Sequence, residues 1–149
     1  MARIVEGTIS DKWEQVASLL AEHWEELAKN KTLMVLKPDK ARYEELEKAG
    51  LIFTLFAYAG DQIIGYSANI ITRHLHYADL SIASNDVLFV AKSHRAGRTG
   101  IQLIDKTEET AQMYGAKLML WHAKQGTDLE KIMPRMGYNV QEIMFSKEL

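Results

Sequence analysis

The chain has no cysteine among its 149 residues. Disulfides, thiolate metal sites and cysteine nucleophiles are therefore excluded, and a reducing compartment fits that absence. Proline is scarce, at Pro38 and Pro134 only, and there is no interdomain linker, low-complexity tract or internal repeat. No window is long and apolar enough to span a membrane. The opening Met1-Ala2-Arg3-Ile4-Val5 lacks the apolar core of a signal peptide, so the expectation is a cytosolic protein. An excess of positive charge is also missing. The formal net charge of −2 argues against a protein whose main work is nonspecific nucleic-acid binding.

What is present reads as one domain over residues 1–149 with a single core. Arg3–Glu6 makes a first strand. A helix from about Lys12 to Lys29 places Trp13, Val16, Leu20, Trp24 and Leu27 on one face, with Asp11 and Glu14 resembling a capping pair. His23 beside Trp24 is read as structural. The opposite face carries Glu14, Glu22, Glu25 and Glu26. A solvated face accounts for these acids, and the alternative is an acidic wall beside a cationic substrate.

Pro38 in a first turn, Asp39 as cap and Gly50 past the end bracket a second helix. Leu51–Ala59 and Gln62 to about His74 form a hairpin around Gly60-Asp61. A loop near Ala78–Ala83 leads into the strand Asp86–Val90. The next helix ends at Gly115, and Leu118–Ala123 is apolar enough for a strand buried on both faces. Thr127 with Glu130 caps a last helix that Pro134 should kink. A final strand is expected at about Asn139–Lys147.

The most informative stretch is Asp86-Val-Leu-Phe-Val90 followed by His94-Arg-Ala-Gly-Arg-Thr-Gly100. It reads as a strand, a short basic glycine loop, and a helix starting near Thr99. Loop amides and a helix N-terminus present unpaired N–H donors and partial positive charge, which suits a diphosphate. Lys92, Arg95 and Arg98 add cations, and Gly97 and Gly100 allow close backbone approach.

From this loop onward the sequence resembles the GNAT superfamily of N-acetyltransferases, whose acetyl-coenzyme A loop is written R/Q-x-x-G-x-G/A. Arg95 and Gly100 match its first and last positions, while Arg98 stands where the middle glycine belongs and a glycine sits one place earlier, at Gly97. Within the superfamily the chain looks most like the short acetyltransferases often encoded by phages. The resemblance implies an α/β fold: a mixed, mostly antiparallel sheet of about six strands, one parallel pair splayed, flanked by about four helices. It implies acetyl-CoA as co-substrate. No metal is expected, because His74 and His76 at i, i+2 spacing have no third ligand in view. The cofactor-binding residues would be Arg95, Ala96, Gly97, Arg98, Thr99 and Gly100, with the amides of Phe89 and Val90 polarising the thioester. The acceptor would be a primary amine on a small molecule or a protein, with no nucleic acid or membrane as partner and a homodimer left open.

Acetyl transfer needs a neutral amine, a stabilised oxyanion and a proton source for the thiolate. Asp86 is the candidate base. Simple alternation puts it on the same face as Val90, and an unpaired carboxylate opening an apolar strand implies a partner or a use. The competing reading is a residue that only ends a turn. His76 and Tyr77, at the end of the preceding strand, join Asp86 as catalytic candidates if the hairpin returns them to its side. The tyrosine that the family often places in its last helix is Met133 here, and the asparagine that often opens that helix is Gly126. His122 is a further proton source or a satisfied core histidine. The alternative function is a GNAT-fold binding or regulatory protein that keeps coenzyme A and has lost transfer.

Overall fold

The computed structural model describes residues 2–149. Strands β1 (Arg3–Gly7), β2 (Ile52–Ala59), β3 (Gln62–Arg73), β4 (Ser81–Val90) and β5 (Leu118–Leu120) form one sheet in the order β1-β2-β3-β4-β5. The first three pairings are antiparallel, and β4 with β5 is parallel. Helices α1 (Trp13–Leu27) and α2 (Lys40–Lys48) cover one face and α3 (Thr99–Met113) the other, and α4 (Asp128–Ile132) follows β5. No helix among the described residues is long and apolar enough to cross a membrane.

Alternation along the central strands feeds both faces, because a sheet covered on both sides must bury both side-chain sets. Phe56, Tyr66 and Phe89 pack with Val16 and Leu20 of α1, whereas Leu55, Ile64 and Val90 pack with Leu103 of α3. The turn at Gly60 takes a left-handed φ of 60°, which glycine adopts without steric cost.

Asp39 caps α2, its Oδ1 accepting from the Arg42 amide at 3.1 Å, and Pro38 lies just before that cap rather than inside the first turn. Thr127 caps α4 by accepting from the Glu130 amide. Pro134 does more than kink this helix: α4 stops at Ile132, and Met133–Met136 continue as a 3₁₀ turn. The expected Asp11–Glu14 pair is not formed. Lys12 occupies the cap of α1, and the Asp11 amide donates to Thr8 Oγ1 instead.

Among the described residues the sheet has five strands, not six. The expected strand at 139–147 is irregular chain with Val140, Ile143, Met144 and Phe145 exposed. Two causes act together. The neighbouring β5 is only three residues long, and alternation in 139–147 puts apolar residues on both faces, so no register is selected.

Candidate functional site

The site grows from the divergence of β4 and β5. The two strands pair at Ile82↔Leu118, Ala83↔Met119 and Ser84↔Leu120. Beyond that rung β4 continues to Val90, while β5 ends at Leu120 and pairs with it no farther. Just beyond the last rung, Ser84 Oγ lies 2.9 Å from His122 Nε2 and forms a side-chain bridge.

Just past this bridge β4 contains a bulge. Asn69 pairs with Asn85 and Ala68 with Val87, leaving Asp86 as the extra residue. Opposed residues in an antiparallel ladder alternate between hydrogen-bonded and non-bonded pairs. The Ala91 amide donates to Ile64 O at 2.7 Å, so Phe89–Tyr66 and Val87–Ala68 are bonded pairs. The peptide groups of Leu88 and Val90 therefore face the gap that β5 has left. Of the two amides expected to polarise a thioester, Val90 has the required direction, and the Phe89 amide is consumed by the ladder with Tyr66.

The bulge also overturns the expectation that Asp86 and Val90 share a face. Val90 packs toward α3 beside Leu103. Burial raises the Tyr43 and Tyr66 hydroxyls, and the Asp86 carboxylate adds to both, as the second cause at Tyr43 and a minor one at Tyr66. Partial burial pushes the Asp86 carboxyl above its ordinary value, and the nearby His122 pulls it back in part.

His76 and Tyr77 do not join this group. The last rung of the β3–β4 hairpin is Arg73↔Ser81, and Asp86 lies roughly 16 Å farther along the strand at ~3.3 Å per residue. At the hairpin tip the His76 amide donates to His74 Nδ1 at 3.1 Å, and the Tyr77 ring lies 4.6 Å from the His74 ring. The titratable groups that Asp86 influences or is influenced by are Tyr43, Tyr66 and His122. The two tyrosines escaped the sequence reading because their spacing marks them as core.

At the far end of the gap, α3 begins without a side-chain cap, and its first backbone bond runs from the Gln102 amide to Arg98 O. The amides of Gly97 through Ile101 find no acceptor among the described residues. A Cβ placed on Gly97 or Gly100 would meet no atom within 4 Å. Ala96, Arg98 and these glycines thus border an open cradle of donors, matching what a diphosphate requires.

Arg95 is placed differently from expectation. Its guanidinium makes a bidentate pair with Glu26 at 2.5 and 2.7 Å, its Nε donates to Val90 O at 2.7 Å, and it lies 5.0 Å from the Phe89 ring. Its charge is directed at α1, so backbone amides and Arg98 are left for an anion. Two more contacts fasten α1 across the gap, from the Lys92 amide to Glu22 and from Lys124 Nζ to Leu27 O.

His23 lies beneath these contacts, stacked on Phe89 at 4.5 Å, with Nδ1 2.7 Å from the Tyr66 hydroxyl. Burial, helped by the charge on Lys124, lowers its pKa to about 4. It is a neutral histidine near pH 7, as a structural role requires. Met133 is buried where the family's tyrosine would stand, so that hydroxyl is missing here.

No family model matches the chain, and no curated protein sequence does. Solved structures do match. An aminoglycoside acetyltransferase from an uncultured soil metagenomic sample superposes with a TM-score of 0.80 at 19% identity, covering 100% of this chain and 99% of its own. Ribosomal-protein-alanine N-acetyltransferase from Brucella melitensis biovar Abortus 2308 gives 0.76 at 16% identity, covering 100% and 99%. A protein described as a transcriptional regulator from Bacillus halodurans C-125 gives 0.79 at 20% identity, covering the whole of both chains. The chain therefore has the GNAT acetyltransferase fold, as the resemblance implied.

Proposed function

We propose that this protein is an acetyl-CoA-dependent N-acetyltransferase that passes the acetyl group directly to a primary amine. One arrangement carries the reading. A cradle of unpaired amides at the start of α3 opens onto the gap between β4 and β5, and the Val90 amide and Asp86 lie on the strand that walls it. Acetyl-CoA supplies the activated acyl group.

In the proposed sequence the amine nitrogen bonds to the carbonyl carbon, the C–S bond breaks, and the amine proton goes to Asp86 directly or through water. The Val90 N–H steadies the oxyanion, which hydrogen bonds in a dry gap do well. Coenzyme A leaves as a thiolate and takes its proton from solvent or from His122, held by Ser84. Direct transfer suits a chain with no cysteine nucleophile.

The acceptor is a small-molecule or protein amine, and structural neighbours lend weight to the former. One of them is an aminoglycoside acetyltransferase in complex with sisomicin. The setting is cytosolic, in keeping with the absence of cysteine.

The second reading is a cofactor-binding regulatory protein. The pairing of Arg95 with Glu26 and the buried Met133 favour it. Thermal unfolding with and without acetyl-CoA, then thiol release over an amine panel, separates the two. Both readings fail if millimolar acetyl-CoA leaves the midpoint unmoved, since a native-state ligand must raise it. A raised midpoint without thiol release selects the second. For the enzyme, Asp86→Asn should keep the shift and slow turnover by ~10²-fold or more. Activity should fall on the acid side through a pKa above the ordinary aspartate value, because burial raises the Asp86 carboxyl.

A further inference from the structure

Four polar side chains are sealed beneath the β4 bulge on the side of α3: Ser67, Asn69 and Thr107 are fully enclosed, and Asn85 nearly so. Enclosing amides and hydroxyls is unfavourable unless each finds partners, and these four find one another. Thr107 Oγ1 donates to Leu103 O at 2.7 Å and lies 2.8 Å from Ser67 Oγ. Asn69 Nδ2 is 3.0 Å from Ser67 Oγ and 3.2 Å from Ser67 O.

Asn85 Nδ2 completes the set. It lies 2.8 Å from Asn69 Oδ1 and 3.2 Å from Ser67 Oγ. It also reaches two backbone carbonyls, Val87 O at 3.1 Å and Ala68 O at 3.4 Å. Those carbonyls flank the extra residue, since Val87 follows Asp86 and Ala68 is the residue opposite. The Asn85 amide therefore spans the bulge from below.

The bulge decides the phase of everything after it. In an unbulged continuation, the peptide groups of residues 86, 88 and 90 would all face β3, and the Val90 amide would be spent in the ladder. With Asp86 inserted, the phase reverses and the Leu88 and Val90 amides turn to the open side. A one-residue slip is enough to exchange the two directions.

We infer that Asn85, held by Asn69, Ser67 and Thr107, is a positioning residue that fixes the bulge at Asp86 and thereby aims the Val90 amide into the gap. It touches neither substrate nor acetyl group. The inference deepens the acetyltransferase reading, and its test does not depend on that reading being right.

The test is amide hydrogen exchange read by NMR on the free protein. In the wild type the Val90 amide should exchange rapidly and the Phe89 amide slowly. In Asn85→Ala the order should reverse as β4 slips into regular register. A protected Val90 amide in the wild type, or an unchanged pattern in the variant, overturns the inference. If Asn85→Ala does not fold, Asn85→Ser, which keeps one donor, should show intermediate protection at both amides, and a wild-type pattern there overturns it equally. Where transfer is detected, Asn85→Ala should lower kcat by on the order of 10- to 100-fold with little change in acceptor KM. A similarly destabilising change remote from the bulge, Ile9→Ala at a buried position just past the edge strand β1, should leave kcat alone. Equal kcat in both variants would reduce Asn85 to a packing role.

Discussion

Acidification should destabilise this protein through His23, over a pH range that few other groups share. In the folded chain the ring is buried against Phe89 and its pKa falls from 6.5 to about 4. The unfolded chain therefore binds a proton between those values that the folded chain refuses. Stability is full above pH 6.5 and falls as pH drops toward 4, by ~1.4 kcal/mol per unit while only the unfolded state is protonated. Across the whole interval that is ~3 kcal/mol, and partial solvent access to the ring reduces it to ~2 kcal/mol. For a domain of this size ~2 kcal/mol corresponds to a midpoint shift of ~4–8 °C.

Two other groups act at the acid end, with opposite signs. Glu26, lowered chiefly by its hydrogen bond to Arg95, contributes stability that is lost as pH falls below the ordinary carboxylate value. Asp86 is raised by burial, so its protonation relieves a cost. Neither accounts for a loss between pH 6.5 and 4.5. The assay is urea unfolding at half-unit steps from pH 4.5 to 7.5 on the wild type and on His23→Asn, which keeps a hydrogen-bonding side chain and does not titrate in this range. The variant should be less stable at pH 7.5 and should lose most of the slope. An equal slope in both proteins would refute the assignment to His23.

Other outcomes follow from individual contacts. Gly100→Val should leave the free protein's stability nearly unchanged, because the space beside Gly100 is open, yet abolish the acetyl-CoA thermal shift. Arg95→Ala should weaken the same shift less than Gly100→Val does, since its guanidinium is already spent on Glu26; a larger loss would restore Arg95 as a phosphate ligand. Gly65→Ala places a Cβ 2.8 Å from Phe89 O. It should cost ~1–3 kcal/mol of stability by overpacking, read as a lowered urea midpoint. Leu103→Ala, at a fully buried position under Val90, should cost ~2–5 kcal/mol by the same measurement.

Much of the architecture was legible because its signals are local. The apolar run before Val90 and the glycine loop after it announce strand, turn and helix within a few residues, and Asp39 and Thr127 mark helix starts three residues ahead of the amides they accept. The site was less legible because its decisive relations are distant. Arg95 reads as a free cation until Glu26, 69 residues away, is seen to hold it. His76 and Tyr77 follow β3 closely in sequence, yet the length of the hairpin sets them far from Asp86. The strand expected at 139–147 needed a long edge to pair with, and β5 supplies three residues.

The bulge is the instructive case. Period-two counting assigned Asp86 and Val90 one face, and nothing in Asp86-Val-Leu-Phe-Val90 announces the extra residue. The only hint lies in the polar residues Asn85, Asn69 and Ser67, which fall on strand positions that should be apolar in a sheet covered on both faces. Polar residues at core positions conflict with the local pattern, and such conflicts concentrate at functional sites. Here the conflict is resolved by a closed set of hydrogen bonds whose only backbone anchors on β3 and β4 flank Asp86, apart from Ser67's own carbonyl. A merely stabilising core would be served as well by valines, which would leave β4 in regular register and the Val90 amide bound to its neighbour strand. The polar set makes sense if what it maintains is the irregularity itself.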